Sequence, residues 1–141
     1  MMILKSLRNF LPPAAEFGGR KKNKQYKRGK PMDHFFEEEF KEKVLDSKIP
    51  VIMDFYADWC GPCRALSPTI EKVAKEYEGK LSLVKVDCDE CEDLSRDMEI
   101  KSIPTIIIMK DGEQIGKNVG YMTETQLKKF IDKTIKPKVK S

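Results

Sequence analysis

The fold is decided by one stretch of the chain, Val51-Ile-Met-Asp-Phe-Tyr-Ala-Asp-Trp-Cys60-Gly-Pro-Cys63. Its first six residues are apolar except for Asp54, which is typical of a buried strand. Pro62 suits the first turn of a helix, because the N–H that proline lacks would have no partner there. The stretch therefore predicts a strand that leads into a helix, with two cysteines at the junction.

The position of the two cysteines predicts a different role for each. Cys60 lies near the predicted helix N-terminus, where unpaired N–H groups and the positive end of the helix dipole favour a thiolate. Cys63 lies one turn further along on the same face, within reach of Cys60 but shielded from solvent. We therefore expect Cys60 to attack a target disulfide and Cys63 to resolve the mixed disulfide that results.

Metal binding is the alternative interpretation of such a cysteine pair. The chain has four cysteines in two pairs of the same spacing, Cys60/Cys63 and Cys88/Cys91. The 24 residues between the pairs exceed the usual gap of a zinc ribbon. A proline inside the first pair and a strand before it also suit thiol exchange better than chelation. No metal site is therefore predicted.

Asp54 is the one acid in an otherwise apolar strand, so we expect it to be buried. Burial would raise the pKa of its carboxyl group and favour the neutral form. Such a group, six positions before Cys60, could relay a proton to or from the Cys63 sulfur. The alternative is an acid at a solvent-facing position of the strand.

The pattern of apolar residues predicts the elements on either side of this stretch. A strand–helix–strand unit of this length is right-handed and parallel, Asp111-Gly112 is a hairpin signal, and Thr123 with Gln126 has the spacing of a capping box. The sheet should be mixed, with helices on both faces. The predicted elements are a helix from Asp33 that bears Phe36, Phe40 and Val44, a strand over 51–56, a helix over 62–78 kinked at Pro68, a strand over 81–87, a short helix over 92–98, strands over 105–109 and up to Val119, and a helix from Thr123 that buries Leu127, Phe130 and Ile131.

The segment from Asp54 to Arg64 closely resembles the active-site segment of thioredoxins. The likeness covers about residues 33–136 and includes Pro68, Val84-Lys85-Val86-Asp87, Ile103-Pro104-Thr105, Asp111-Gly112 and Val119-Gly120. This resemblance implies an α/β thioredoxin fold with a βαβαββα core. It also implies a protein-disulfide reductase that serves cell redox homeostasis and carries electrons on the Cys60–Cys63 disulfide, with no cofactor.

The resemblance assigns further residues to the site. Pro104 would follow a cis peptide bond and pack against the cysteine pair, and Lys85 would temper the pKa of Asp54. A flat apolar surface for target docking would be formed by Trp59, Gly61, Pro62, Ile103, Pro104 and Gly120. The alternative for Pro104 and Gly120 is that they are plain turn residues.

Cys88 and Cys91 do not belong to the general family motif, although Cys91 stands where some animal thioredoxins carry a regulatory cysteine. One hypothesis is a second, regulatory disulfide between them at the start of the short helix. The alternative, which we favour, is a pair of inert and partly buried thiols, because buried free cysteine is common.

The first 32 residues differ in composition from the rest. Residues 1–30 carry nine Lys/Arg and one acid, whereas the remaining 111 residues carry eighteen Lys/Arg and twenty-two acids. A basic amphipathic start followed by a lysine-rich run predicts a disordered extension, which we interpret as a mitochondrial transit peptide. A nuclear signal, an anion-binding arm and the solubilising tail of a cytosolic protein are the alternatives. Residues 33–137 would then form the thioredoxin domain, and 138–141 a short basic tail.

The resemblance also implies partners, namely protein disulfides as substrates and a thioredoxin reductase that depends on flavin and NADPH. We expect a monomer that binds no specific nucleic acid and no membrane, since no apolar stretch approaches about 18 residues. A disulfide-forming or isomerising enzyme of secretory compartments is disfavoured, because no signal peptide is predicted and Pro62, not histidine, precedes Cys63. A binding module that only keeps the fold is the other rival function.

Overall fold

The computed structural model describes residues 35–135. Within them, the strands and helices predicted from residue 51 onward are confirmed, with bounds that shift by a few residues at most. The predicted extension 1–32, the helix start at Asp33 and the tail 138–141 lie outside the described residues. The elements are β1 Val51–Tyr56, α1 Gly61–Glu76, β2 Ser82–Asp87, α2 Glu92–Asp97, β3 Thr105–Lys110, β4 Glu113–Val119 and α3 Glu124–Ile135.

The segment before β1 differs from the regular helix predicted there. It forms a 3-10 turn at Glu37–Glu39 and a π-helical turn at Lys41–Leu45. Phe40 and Val44 are buried as predicted, whereas Phe36 is only half-buried. The wider π-helical turn brings both Val44 and Leu45 onto the core side with Phe40, which a regular turn would not do.

The sheet has the strand order β2-β1-β3-β4. β1 runs parallel to β2, with Asp54 opposite Lys85, and antiparallel to β3, which pairs antiparallel with β4. Asp111 and Gly112 join β3 to β4, and both have positive φ, 53° and 79°. Two such residues in a row are what a type I′ hairpin turn requires. The predicted mixed sheet and its hairpin are therefore confirmed.

Each face of the sheet is covered by helical segments, as predicted. Successive side chains of β1 point to opposite faces. Met53 and Phe55 pack with Leu94 of α2 and with the turns before β1, whereas Ile52 packs with residues of α1 and α3. Asp54 follows the alternation and lies on the Ile52 face, between the sheet and α1.

α1 and α3 lie side by side on one face of the sheet. Leu66, Ile70 and Val73 of α1 and Leu127 and Ile131 of α3 share one buried cluster. The predicted capping box is present, because the Thr123 N–H donates to Gln126 Oε1 (2.9 Å) and the Gln126 N–H donates to Thr123 Oγ1 (3.2 Å). None of the helices formed by residues 35–135 has the length and apolar character needed to cross a bilayer.

Candidate active site

Cys60 and Cys63 form a disulfide at the junction of β1 and α1. Cys60 is the N-cap residue of α1, and its Sγ accepts a hydrogen bond from the backbone N–H of Cys63 (3.3 Å). Pro62 lies in the first turn, as predicted. The helix start therefore provides a backbone N–H, which has no partner within the helix, to the Cys60 sulfur, where it stabilises negative charge.

A groove of about 540 Å³ passes beside this disulfide. Trp59, Cys60, Gly61 and Pro62 line one side of it, and Cys63 is not among the lining residues. Trp59 is the most exposed large apolar side chain of the region, at 69%. The two cysteines are both buried (5% and 2% exposed), but they are inequivalent, since Cys60 lines the groove and Cys63 does not.

The loop before β3 completes the groove on the other side. The Ile103-Pro104 peptide bond is cis, and the Ile103 carbonyl oxygen lies 4.0 Å from Cys60 Sγ. The N–H of Gly120 donates to the carbonyl oxygen of Pro104 (2.8 Å). Gly120 has φ +107°, a conformation that favours glycine. The structure therefore places Ile103 beside the cysteine pair, with Pro104 next to it in the chain and Gly120 bonded to Pro104.

Asp54 is buried, with 1% of its surface exposed. Neither of its carboxylate oxygens has a hydrogen-bond partner among residues 35–135. Burial raises the pKa of Asp54 from 3.8 to about 6, against the positive charge of Lys85, which lowers it, while the negative charge of Glu71 adds to the rise. The expected burial of this acid is confirmed, and its carboxyl group can exchange a proton near neutral pH.

Lys85 acts on Asp54 through space, because its ammonium group is bonded elsewhere. Lys85 Nζ lies 2.6 Å from Glu71 Oε2 and donates to Ser67 Oγ. The hydrogen bond that Lys85 donates, aided by its charge, holds the pKa of Glu71 below the usual value. Sequence reasoning missed Glu71 and Ser67, although their spacing of four residues on the α1 face toward β2 was a usable signal.

Asp89 is a second residue that sequence reasoning missed. Trp59 Nε1 donates to Asp89 Oδ2 (3.0 Å), and the Asp89 N–H donates to Asp87 Oδ1 (2.9 Å). The signal was topological, because β1 and β2 are parallel and their following loops meet at the same edge of the sheet. This bond fixes the indole at the rim of the groove.

Cys88 and Cys91 are free thiols. Cys88 is half-buried and lines the same groove as Trp59, whereas Cys91 is buried at the start of α2. Burial raises the pKa of both thiols. Across residues 35–135, no cluster of three or more His, Cys, Asp or Glu side chains is placed to hold a metal ion.

Comparison of the sequence with known proteins agrees with this geometry. The family model described as Thioredoxin matches residues 32–133. The chain belongs to the thioredoxin family. It is 42% identical over 99 residues to Thioredoxin C-2 of Corynebacterium nephridii, which covers 70% of this chain and 92% of that protein. It is 44% identical over 94 residues to Thioredoxin 1 of a Nostoc species, which covers 67% of this chain and 88% of that protein.

A mitochondrial thioredoxin of Bos taurus is 42% identical over 97 residues, which covers 69% of this chain and 58% of that protein. The sequence identity to bacterial and to mitochondrial thioredoxins is therefore similar, although the chain covers less of the mitochondrial protein. Together with the Cys60–Cys63 disulfide, family membership makes this thioredoxin domain a thiol–disulfide oxidoreductase. The cysteine pair itself carries the electrons, so the chemistry calls for no cofactor.

Proposed function

We propose that this thioredoxin-family chain is a protein-disulfide reductase that exchanges its Cys60/Cys63 dithiol with the disulfides of target proteins. The observation that carries the proposal is the place of Cys60, at the N-cap of α1 and on the wall of an open groove. A thiolate there is stabilised by the helix start, and a partner disulfide that enters the groove can reach it; attack on a disulfide requires both.

The proposed reaction has two exchange steps. The Cys60 thiolate attacks one sulfur of the target disulfide, and the other target sulfur leaves as a thiolate. Cys63, deprotonated, then attacks the Cys60 sulfur of the mixed disulfide and releases the second target sulfur. The target gains two electrons and ends as a dithiol, while the dithiol of the domain becomes the Cys60–Cys63 disulfide seen in the structure.

We propose that Asp54 accepts the proton that Cys63 must lose in the second step. Its strand leads directly to the cysteine pair, and its pKa of about 6 suits proton exchange near neutral pH. Lys85 is a positioning residue, which limits the rise in that pKa by its charge. If Lys85 were absent, the pKa of Asp54 would be higher. More of the Asp54 carboxyl group would then already be protonated near neutral pH and unable to accept the proton of Cys63.

We propose that a target segment docks in extended form across Ile103 and Pro104. The cis bond presents the backbone of Ile103 next to Cys60 Sγ, where a target strand can pair with it. The remaining contacts would come from the docking surface, which we define as Trp59, Gly61, Pro62, Ile103, Pro104 and Gly120.

We propose that a thioredoxin reductase that uses flavin and NADPH regenerates the dithiol. We also propose that the protein, with its thioredoxin domain at residues 33–137, acts as a monomer. We further propose that residues 1–32 direct the chain to mitochondria, supported by their basic composition and by the similarity to mitochondrial thioredoxins. Fusing residues 1–32 to a fluorescent protein tests this, and diffuse cytosolic or nuclear fluorescence would contradict it.

For the second cysteine pair, we propose that Cys88 and Cys91 remain thiols while Cys60 and Cys63 cycle. Burial raises the pKa of both, so little thiolate is present to react. A regulatory disulfide between them would then need a stronger oxidant than a target protein. Mass spectrometry of alkylated peptides checks this, and a Cys88–Cys91 linkage formed during ordinary turnover would refute it.

Reduction of insulin tests the proposed function. Cys60→Ser should abolish it, and Cys63→Ser should accumulate mixed disulfides with targets, because the resolving thiol is missing. Cys88→Ser is the matched control, since it removes a thiol from the same groove but not from the reacting pair. Activity that survives Cys60→Ser would refute the role of Cys60, whereas a wild-type protein that does not reduce insulin would be only a binding module with this fold.

A further inference from the structure

A second groove, of about 460 Å³, lies between α3 and the end of β4. We call it the α3 groove, and the residues that matter for its chemistry are Val119, Tyr121, Lys129, Phe130 and Lys133. Val119 and Tyr121 are 57% and 48% exposed, which is unusual for large apolar side chains. The groove thus offers apolar contact area that no other part of the described chain covers.

The charges of the α3 groove favour a negatively charged occupant. Lys129 and Lys133 lie one helical turn apart, and neither has a carboxylate within 4.0 Å in the part of the chain that the structure describes. Their neighbour Lys128, by contrast, is paired with Glu76 (2.9 Å) and with Glu124 (3.1 Å). Two ammonium groups that no carboxylate of residues 35–135 pairs, beside an exposed tyrosine, complement an acidic peptide.

The α3 groove continues the docking surface. Gly120 belongs to the docking surface through its bond to the Pro104 carbonyl, and its chain neighbours Val119 and Tyr121 line the α3 groove. A target segment that crosses Pro104 and continues past Gly120 would therefore enter the α3 groove, which Lys129 and Lys133 line. This continuity favours the target protein itself over an unrelated anion as the occupant.

We propose that the α3 groove binds acidic residues that flank the target's disulfide, so that this domain selects targets with Asp or Glu beside the reacting cysteine. The inference rests on the proposed function and names its substrate class.

Two synthetic peptides test the proposal. Each contains one intramolecular disulfide, and they differ only in the three residues on either side of it, which are Glu in one and Gln in the other. The measurement is the second-order rate constant for oxidation of the reduced full-length protein by each peptide at low ionic strength. We expect the Glu-flanked peptide to react about three- to tenfold faster, as two exposed charge contacts allow.

Lys129→Gln/Lys133→Gln should bring this rate ratio close to one. Its matched control is Lys48→Gln/Lys80→Gln, which removes the same charge from two exposed lysines. These lysines precede the starts of β1 and β2, whereas the cysteine pair follows the end of β1, so the control should keep the ratio. An unchanged rate with the Gln-flanked peptide shows that the folded site is intact in both variants.

The outcomes separate this inference from the proposed function. If neither peptide oxidises the reduced wild-type protein, the proposed function fails. If both react at equal rates, the reductase stands and the acidic specificity is overturned. A ratio that survives Lys129→Gln/Lys133→Gln, or one that falls equally in the control variant, also overturns it, because net charge would then act in place of the α3 groove.

Discussion

Asp54→Asn should make the folded protein more stable above pH 6. In the folded protein the pKa of Asp54 is about 6, against 3.8 as its ordinary value, because the carboxyl group is buried. Between these two pH values the folded state binds more protons than the unfolded state, so stability falls as the pH rises through this window. The difference corresponds to about 3 kcal/mol of stability lost at pH 8 and regained below pH 4.

The asparagine side chain has nearly the same shape and carries no charge, so it avoids this loss. No hydrogen bond to the Asp54 carboxylate is sacrificed among residues 35–135, because its two oxygens have no partner there. The expected gain in the free energy of unfolding is therefore up to about 3 kcal/mol at pH 8, and it should shrink to near zero at pH 4. Proton relay would be lost at the same time, so disulfide reduction at pH 7 should slow.

Urea unfolding of the oxidised protein at a series of pH values between 4 and 8 measures this gain. For a domain of this size, about 3 kcal/mol moves the urea midpoint by about 1–3 M. Asp58→Asn is the control, since Asp58 is exposed on the same stretch of chain and its replacement should change stability by no more than about 0.5 kcal/mol. A gain that does not vary with pH, or a less stable Asp54→Asn protein at pH 8, would refute the reasoning.

Two further predictions concern the surroundings of this acid and the packing of α3. Glu71→Gln should lower the pKa of Asp54, because the negative charge of Glu71 raises it, and Lys85→Met should raise that pKa, because the positive charge of Lys85 lowers it. Carboxyl titration by NMR measures both shifts, and two shifts of the same sign would contradict the assignment. Gly116→Ala should destabilise the domain by about 1–3 kcal/mol in urea unfolding, because its Cβ would meet Thr134 Cγ2 at 2.8 Å; an unchanged midpoint would show that α3 moves away freely.

The parts of the fold that could be predicted from the sequence are those that a local sequence pattern determines. The apolar run in 51–56, the Asp111-Gly112 turn and the Thr123–Gln126 box each depend on neighbours in the chain, and each is confirmed. The segment at 37–45 was predicted as a regular helix and is not one, because its turn widens to fit apolar residues of the sheet. Tertiary packing decided that element, and packing is not visible in the local pattern.

The same division applies to the site. The place of Cys60 and the burial of Asp54 follow from the strand and helix that carry them. The Lys85–Glu71 pair and the bond from Trp59 to Asp89 join elements that are distant in sequence, so they required the topology first. The cis bond before Pro104 was an implication of family resemblance alone, since spacing carries no information on the isomer of a peptide bond.

The strand order has a consequence for how the site survives thermal motion. β1 and β3 are the two central strands, and the cysteine pair and the cis proline are attached to their ends. Hydrogen exchange in sheets is slowest at such central strands, whereas edge strands open in local fluctuations that leave the rest folded. When β4 or β2 frays, the nucleophile and its docking backbone therefore keep their relative positions. Only cooperative unfolding of the whole domain would separate them.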